Sequence, residues 1–287
     1  MSIQTVQQEI DHSRKSGALK QIVIPPCPEL LARLQQAMAY AEPDLNEVAR
    51  IAASDVAMSA TLLRLANSPL HLSDGQPCTT VGQAMTRIGL RETAAVMTGF
   101  LLKNSIPVNS PHLARFWECS TKRAIAMAFV ARQLPGLSPD VAHSYGLFCH
   151  VGMPVLLQCV RGYGSTMVEA AARVDRSYIA TENANHRTDH AVAGALLARA
   201  WNMAPELMAA IRLHHDLASL GHGGIEPEVH TLIAAGLIAE HLMRQHEGLP
   251  DDADWGAHRQ SVLDWLQISQ ADLEHWDDQL RPLLDES

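Results

Sequence analysis

Apolar residues recur along this chain at intervals of three and four, the spacing that lines them up on one face of an α-helix. After Pro25-Pro26-Cys27-Pro28, the positions Leu30, Leu31, Leu34 and Met38 form such a stripe. Pro28 suits a first helical turn, where its missing N–H costs nothing. Asp44 and Glu47 read as an acidic capping box ahead of Val48 and Ile51. Ser54 is predicted to cap a helix bearing Met58, Leu62 and Leu65, which stops near Asn67-Ser68-Pro69 because the residue before a proline avoids the α region. Thr80 opens Val81–Ile88, Gly89 closes it, and another helix runs from Glu92 towards Leu102. A proline-bearing break at Ile106–Pro111 is the best domain boundary. Beyond it an Ala-rich helix passes through Phe116, Trp117, Ala124, Met127 and Ala131. Ser138-Pro139 starts a helix carrying Val141, Leu147, Phe148 and Val151, which Pro154 should kink or end. Asp189 caps His190–Trp201, Pro205 opens a helix through Leu207 and Ile211, and Pro227–His246 follows the Gly-rich loop 221–224. The only strand signal is the isolated Ile22-Val23-Ile24, and no repeat or hairpin dipeptide occurs. The pattern predicts an all-α protein.

Composition sharpens this. Of 287 residues, 47% are hydrophobic but only 5% aromatic, so the core rests on Leu, Ala, Ile, Val and Met, which suit close-packed helices. A charged fraction of 18% excludes wholesale disorder. The net charge of −9 sits wholly in residues 247–287, where eleven acids face two bases, Arg259 and Arg281. The rest is neutral and has no dense basic stripe, which argues against nucleic-acid binding. The acidic stretch also holds Trp255, Trp265 and Trp276, too many aromatics for a disordered tail. Val262, Trp265 and Leu266 make one stripe, Leu273, Trp276 and Leu280 another, and Ser269 between them reads as an N-cap. Two amphipathic helices docked by their tryptophans are predicted. The alternative is that Trp265 and Trp276 form a partner-binding surface. The five cysteines are odd in number and lack a C-x-x-C pair. With no signal-like apolar stretch and no window near 18 apolar residues, a reducing cytoplasm without membrane contact is expected.

The histidines carry the candidate chemistry. There are fifteen, and several fall on the inward phase of helices. His150 follows Leu147 by three; His190 shares a face with Ala193, Gly194 and Leu197; His214 is seven after Leu207 and His215 four after Ile211. Neutral imidazoles drawn from several helices can hold zinc, iron or manganese. The plainer reading is buried histidines bonded to backbone or carboxylates, and no H-E-x-x-H spacing singles out a metal site. On one helix, His214 and His215 would point about 100° apart and would not chelate the same ion. Lys122-Arg123 reads as a solvated helix face, and Asn67 as a local cap or turn. Gly162-Tyr-Gly164-Ser-Thr lacks the lysine and spacing of a P-loop.

Several longer stretches stand in a telling order: Ile24-Pro-Pro-Cys-Pro-Glu-Leu, Ser54-Asp-Val-Ala-Met-Ser-Ala-Thr-Leu-Leu-Arg-Leu-Ala-Asn-Ser-Pro and Val81-Gly-Gln-Ala-Met-Thr-Arg-Ile-Gly-Leu, then Phe116-Trp-Glu-Cys-Ser, Tyr145-Gly-Leu-Phe-Cys-His-Val-Gly, Asp189-His-Ala-Val-Ala-Gly-Ala-Leu-Leu and Ile211-Arg-Leu-His-His-Asp. Across residues 24–242 the chain resembles HDOD domain proteins, HD-related output domains of bacterial signalling. The resemblance implies an N-terminal helical part packed on a core like that of HD phosphohydrolases. The chain then divides into an N-terminal extension 1–23, a helical subdomain 24–106, an HD-like core 107–246 and an acidic helical extension 247–287.

The resemblance also implies a metal-ligand set of a helix histidine, an adjacent His-Asp pair and a later aspartate. This chain has Cys119, His150-Val151 and Gly236 in those places. Valine and glycine cannot coordinate a cation, and a hard Mg²⁺ or Mn²⁺ site without the bridging carboxylate loses its anionic oxygens. His150, His190, His214 and His215 are left as a remnant, with Cys119 and Cys149 as thiols nearby. The expectation is a non-catalytic regulatory or scaffold protein of bacterial signal transduction. It needs no cofactor and acts through contacts with signalling proteins, a homo-oligomer remaining open. The alternative is a residual metal-dependent phosphohydrolase, or a metal or redox sensor, that uses the remaining histidines.

Overall fold

The structure is a computed structural model describing residues 2–15, 22–69, 71–72, 76–173 and 175–285. Its helices run α1 (Ile3–Lys15), α2 (Glu29–Met38), α3 (Leu45–Ala53), α4 (Val56–Ala66), α5 (Val81–Ile88), α6 (Leu90–Ser105), α7 (Phe116–Gln133), α8 (Pro139–Phe148), α9 (Gly152–Cys159), α10 (Tyr163–Ala172), α11 (Tyr178–His186), α12 (His190–Ala200), α13 (Pro205–Leu213), α14 (Pro227–His246), α15 (Ala253–Leu266) and α16 (Gln270–Asp285). No strand occurs among the described residues; Ile22-Val23-Ile24 is irregular. No helix among them is long and apolar enough to cross a membrane. The chain forms two compact units, one of Pro26–Pro107 and one of Met1–Pro25 with Val108–Ser287.

The smaller unit holds α2–α6, which pack on one another through Leu31, Leu34, Val48, Ile51, Met58, Leu62 and Met97. Its helix ends follow local chemistry. The Asp44 carboxylate accepts from the Glu47 N–H, and Thr80 with Gln83 forms a reciprocal capping box. Gly89 turns the chain from α5 into α6 at φ +85°, a conformation that side chains disfavour. Ser54 does not cap α4 as its position suggested. Asp55 does, accepting from the Met58 N–H at 2.9 Å, while the Ser54 hydroxyl donates back to the Ile51 carbonyl and closes α3. Asn67 is more than a local cap. Its amide pairs with both the N–H (2.7 Å) and the carbonyl (2.9 Å) of Cys78, bracing the connection into α5.

In the larger unit α14 packs against α7, α8, α13, α15 and α16. Pro154 neither kinks nor ends α8. That helix stops at Phe148, and Pro154 sits in the first turn of α9, where a missing N–H breaks no helical bond. α1, which the periodicity did not mark, lies on α12 and α13 with Val6 and Ile10 buried. Glu9 pairs with Arg212 at 2.6 Å, and the Glu226 carboxylate receives the Ile3 N–H.

The acidic C-terminal stretch forms α15 and α16. Trp255 stacks on His241, rings 3.8 Å apart and 11° from parallel, and His241 Nδ1 reaches Asp251. Trp265 is half-buried, donates its N–H to the Thr231 hydroxyl and lies edge-on to His230. Leu273, Trp276, Leu280 and Leu284 are buried, while Asp272, Glu274 and Asp278 face water. Trp276 therefore has no free face for a partner. Deleting residues 250–287 should lower the melting temperature and raise ANS binding. Trp276→Ala alone should cost about 3–5 kcal/mol in denaturant unfolding; an unchanged midpoint would contradict the docking.

Candidate metal centre

Four imidazoles of the larger unit meet at one place. His150 lies in the turn from α8 to α9, His190 is the first residue of α12, and His214 and His215 follow α13. One ligand nitrogen from each lies within 4.8 Å of the others. The geometry overturns the expectation that His214 and His215 diverge. α13 ends at Leu213 and His214 keeps α-helical backbone angles (φ −62°, ψ −17°), yet the His214 and His215 rings lie 4.1 Å apart and each gives a ligand nitrogen to the same group. His190 Nε2 is 3.1 Å from His214 Nε2 and 3.3 Å from His215 Nε2.

Gly152 makes the meeting sterically feasible. A Cβ there would fall 1.9 Å from the His190 carbonyl oxygen, so the start of α9 touches the first turn of α12 with no room for a side chain. That contact brings the His150 ring to 5.4 Å from the ring of His190.

The partners behind the rings set which nitrogens carry lone pairs. His214 Nδ1 is 2.7 Å from the Ile211 carbonyl, which can only accept, so Nδ1 holds the proton and Nε2 the lone pair. His215 Nδ1 faces the Asp254 carboxylate at 2.9 Å, and His190 Nδ1 faces the Glu182 carboxylate at 2.8 Å. Glu182 is fully buried, and it also accepts from the His190 backbone N–H and from the Tyr163 hydroxyl at 2.5 Å. In the neutral rings, three Nε2 lone pairs thus point at one another with no N–H between them. Such an arrangement could hold a shared cation.

The spacing suits a metal. A tetrahedral ion with metal–nitrogen bonds of about 2.0–2.1 Å places its ligands about 3.3–3.4 Å apart. The carboxylate-backed imidazoles match the usual support of histidine ligands, and Glu182 and Asp254 supply two negative charges behind them. An all-nitrogen donor set fits Zn²⁺ or a neighbouring divalent transition ion and does not fit Mg²⁺, which prefers oxygen.

The thiols stay outside this group. Cys119 is half-buried on α7, and burial raises its pKa; burial pushes the Cys149 thiol up to about 11. Neither is poised as a thiolate ligand. Val151 is fully buried. A Cβ on Gly236 would lie 2.9 Å from the Tyr145 ring and 3.1 Å from its hydroxyl, so Tyr145 occupies the space of any side chain there. Arg123 is not a solvated basic spot. It is buried and pairs with Glu240 at 3.0 and 3.1 Å. Arg123 lies one turn from Cys119, and Glu240 one turn from Gly236. The fixed charge of Arg123 is felt by Cys119, Cys149 and His150. No spacing in the sequence marks Glu182, Tyr163 or Asp254 as part of the site, because α10 and α11 lack a clear apolar stripe and Asp254 is remote from His215 along the chain.

The HDOD domain family matches residues 24–217, well over half of the chain. The chain belongs to the HDOD family. This HDOD protein is 24% identical over 199 residues to an uncharacterized protein of Treponema pallidum, covering 68% of this chain and 38% of that protein. It therefore spans well under half of that relative. Among solved structures it resembles an HDOD domain protein of unknown function from Geobacter sulfurreducens (18% identity, 98% of each chain covered, TM-score 0.68). It also resembles a provisionally named signal transduction protein from Marinobacter aquaeolei (19% identity, 98% of this chain and 64% of that one, TM-score 0.74). A provisionally named phosphohydrolase from Shewanella amazonensis is similar too (22% identity, 97% and 93% covered, TM-score 0.71). These likenesses establish the all-helical, HD-like fold.

Two expectations follow from the centre. Desolvation, then Arg123 and the neighbouring imidazoles, holds the pKa of His150 well below the usual histidine value; desolvation, then His215 and His190, does the same for His214. A depressed histidine adds stability above its unfolded pKa of about 6.5 and loses it as pH falls through the folded value. Metal-free protein should therefore lose stability below about pH 6.5, and His150→Asn should flatten that slope in urea midpoints taken from about pH 7.5 to 5. Equal slopes in the two proteins would count against a desolvated cluster. Gly152→Ala should destabilise by at least the roughly 1–3 kcal/mol typical of overpacking, seen as a lower urea midpoint.

Proposed function

We propose that this HDOD protein is a non-catalytic regulatory component of bacterial signal transduction. On this reading it works in the cytoplasm through contacts with signalling proteins or with a second copy of itself. Family membership supports the regulatory part, as does the signalling name of the similar Marinobacter protein. One observation carries the non-catalytic part: where HD phosphohydrolases need carboxylates, Val151 and Gly236 stand instead, and Tyr145 fills the space beside Gly236. Phosphate ester hydrolysis on this fold needs metal-activated water and anionic oxygen ligands to hold the ions. Beside Cys119 and Gly236 lies the ion pair of Arg123 and Glu240, in which the guanidinium engages a carboxylate oxygen.

A second reading concerns the four histidines, and the convergence of three lone pairs favours it. The centre holds a divalent transition ion as a structural or sensing element. His190, His214 and His215 supply the nitrogens, His150 adds a fourth, and Glu182 and Asp254 orient the rings. When bound, the ion supplies coordinate bonds that cross-link α12 to the end of α13.

Purified protein given Mg²⁺, Mn²⁺ or Fe²⁺ should hydrolyse neither phosphate monoesters nor cyclic nucleotides above background. Turnover that vanishes in His150→Ala would falsify the non-catalytic reading. Elemental analysis should find about one transition ion per chain, lost in His190→Ala. Equal metal content in both proteins would remove the centre.

A further inference from the structure

The family match ends at residue 217, yet one histidine of the centre is oriented from beyond it. His215 Nδ1 lies 2.9 Å from Asp254 Oδ2, and Asp254 belongs to the first turn of α15. We propose that Asp254 is a positioning residue for the metal centre and that docking of α15 is linked to its occupancy by a divalent transition ion, making the C-terminal extension the metal-responsive part of the chain. This inference rests on the metal reading above.

The three outer partners differ in how they are held. His214 is oriented by the carbonyl of Ile211, three residues back in α13, and His190 by fully buried Glu182. His215 alone depends on a helix from the extension, and the contact is partly open to water, with 26% of the His215 side chain and 34% of the Asp254 side chain exposed. Asp254 is set in place by its own helix. Asp252 caps α15 by accepting from the Trp255 N–H, Trp255 stacks on His241, and Trp265 donates to Thr231. A carboxylate that accepts the Nδ1–H fixes the ring and makes its Nε2 a stronger donor. Binding linkage is reciprocal: whatever α15 adds to metal affinity, the metal adds to the docking of α15.

The test uses the full chain, Zn²⁺ and a chromophoric chelator as competitor. Asp254→Ala should weaken Zn²⁺ binding about 10–100-fold, the usual cost of losing an outer partner of a ligand histidine. Asp254→Asn keeps an acceptor oxygen without the charge and should fall between Ala and wild type. Asp272→Asn removes an acid from the corresponding first turn of α16, bonded to Ser269 rather than to the centre, and should leave binding unchanged. Hydrogen exchange of residues 253–266 should slow when Zn²⁺ is added to wild type and not when it is added to Asp254→Ala. If Asp254→Ala loses its helical circular dichroism, Asp254→Asn carries the comparison. The proposal is overturned if wild type takes up Zn²⁺ while the Asp254 variants bind it as tightly and exchange in α15 ignores the metal. A wild type that takes no Zn²⁺ from the chelator overturns the metal reading together with this one, a result distinct from unlinked binding.

Discussion

A carboxylate shut away from water is costly unless its oxygens are answered by donors. Glu182 is fully buried on α11 and is answered three times: by the Tyr163 hydroxyl at the start of α10, and by the backbone N–H and ring of His190 at the start of α12. Satisfying that one charge ties three helices together and sets the rotation of the His190 ring. Once that ring is set, its Nε2 has a defined position, and His214 and His215 close on it. The close approach of α9 at Gly152 then brings in His150. The centre is thus built outward from a single buried acid.

The other half of the remnant site has gone the opposite way. Cys119, Val151 and Gly236 stand where ligands would be expected, and a guanidinium lies one helical turn from Cys119. Arginine keeps its charge at any ordinary pH, and Glu240 fixes it in place with two hydrogen bonds to one oxygen. Its field disfavours protonation of His150. In this way a permanent side-chain cation acts on the pocket without the exchangeable chemistry of a metal ion.

The sequence made much of this legible and left the rest hidden for identifiable reasons. Helical periodicity located most of the helices, and short-range caps such as Thr80, Asp189 and Ser269 act within three residues, so their signals survive in one dimension. Ser54 and Asp55 are both good caps side by side, and only tertiary context chose between them. Helical phase tells where Cβ atoms point and not where ring nitrogens end up, so the convergence of His214 and His215 was not legible. The contacts that give the site its character span long separations: Arg123 to Glu240 crosses 117 residues and His215 to Asp254 crosses 39. A basic residue beside a lysine on an Ala-rich helix looks solvated until its distant acid is known. α1 was missed because Ile3, Val6 and Ile10 are a sparse stripe in a polar segment, and its docking depends on pairs such as Glu9 with Arg212.

The contact between Gly236 and Tyr145 limits which substitutions this core accepts. With the tyrosine ring pressed against the glycine, replacing Gly236 by aspartate meets an obstacle before it restores any ligand. An acid at 236 therefore calls for a smaller residue at 145 as well, and either change made alone crowds the core or leaves a cavity in it.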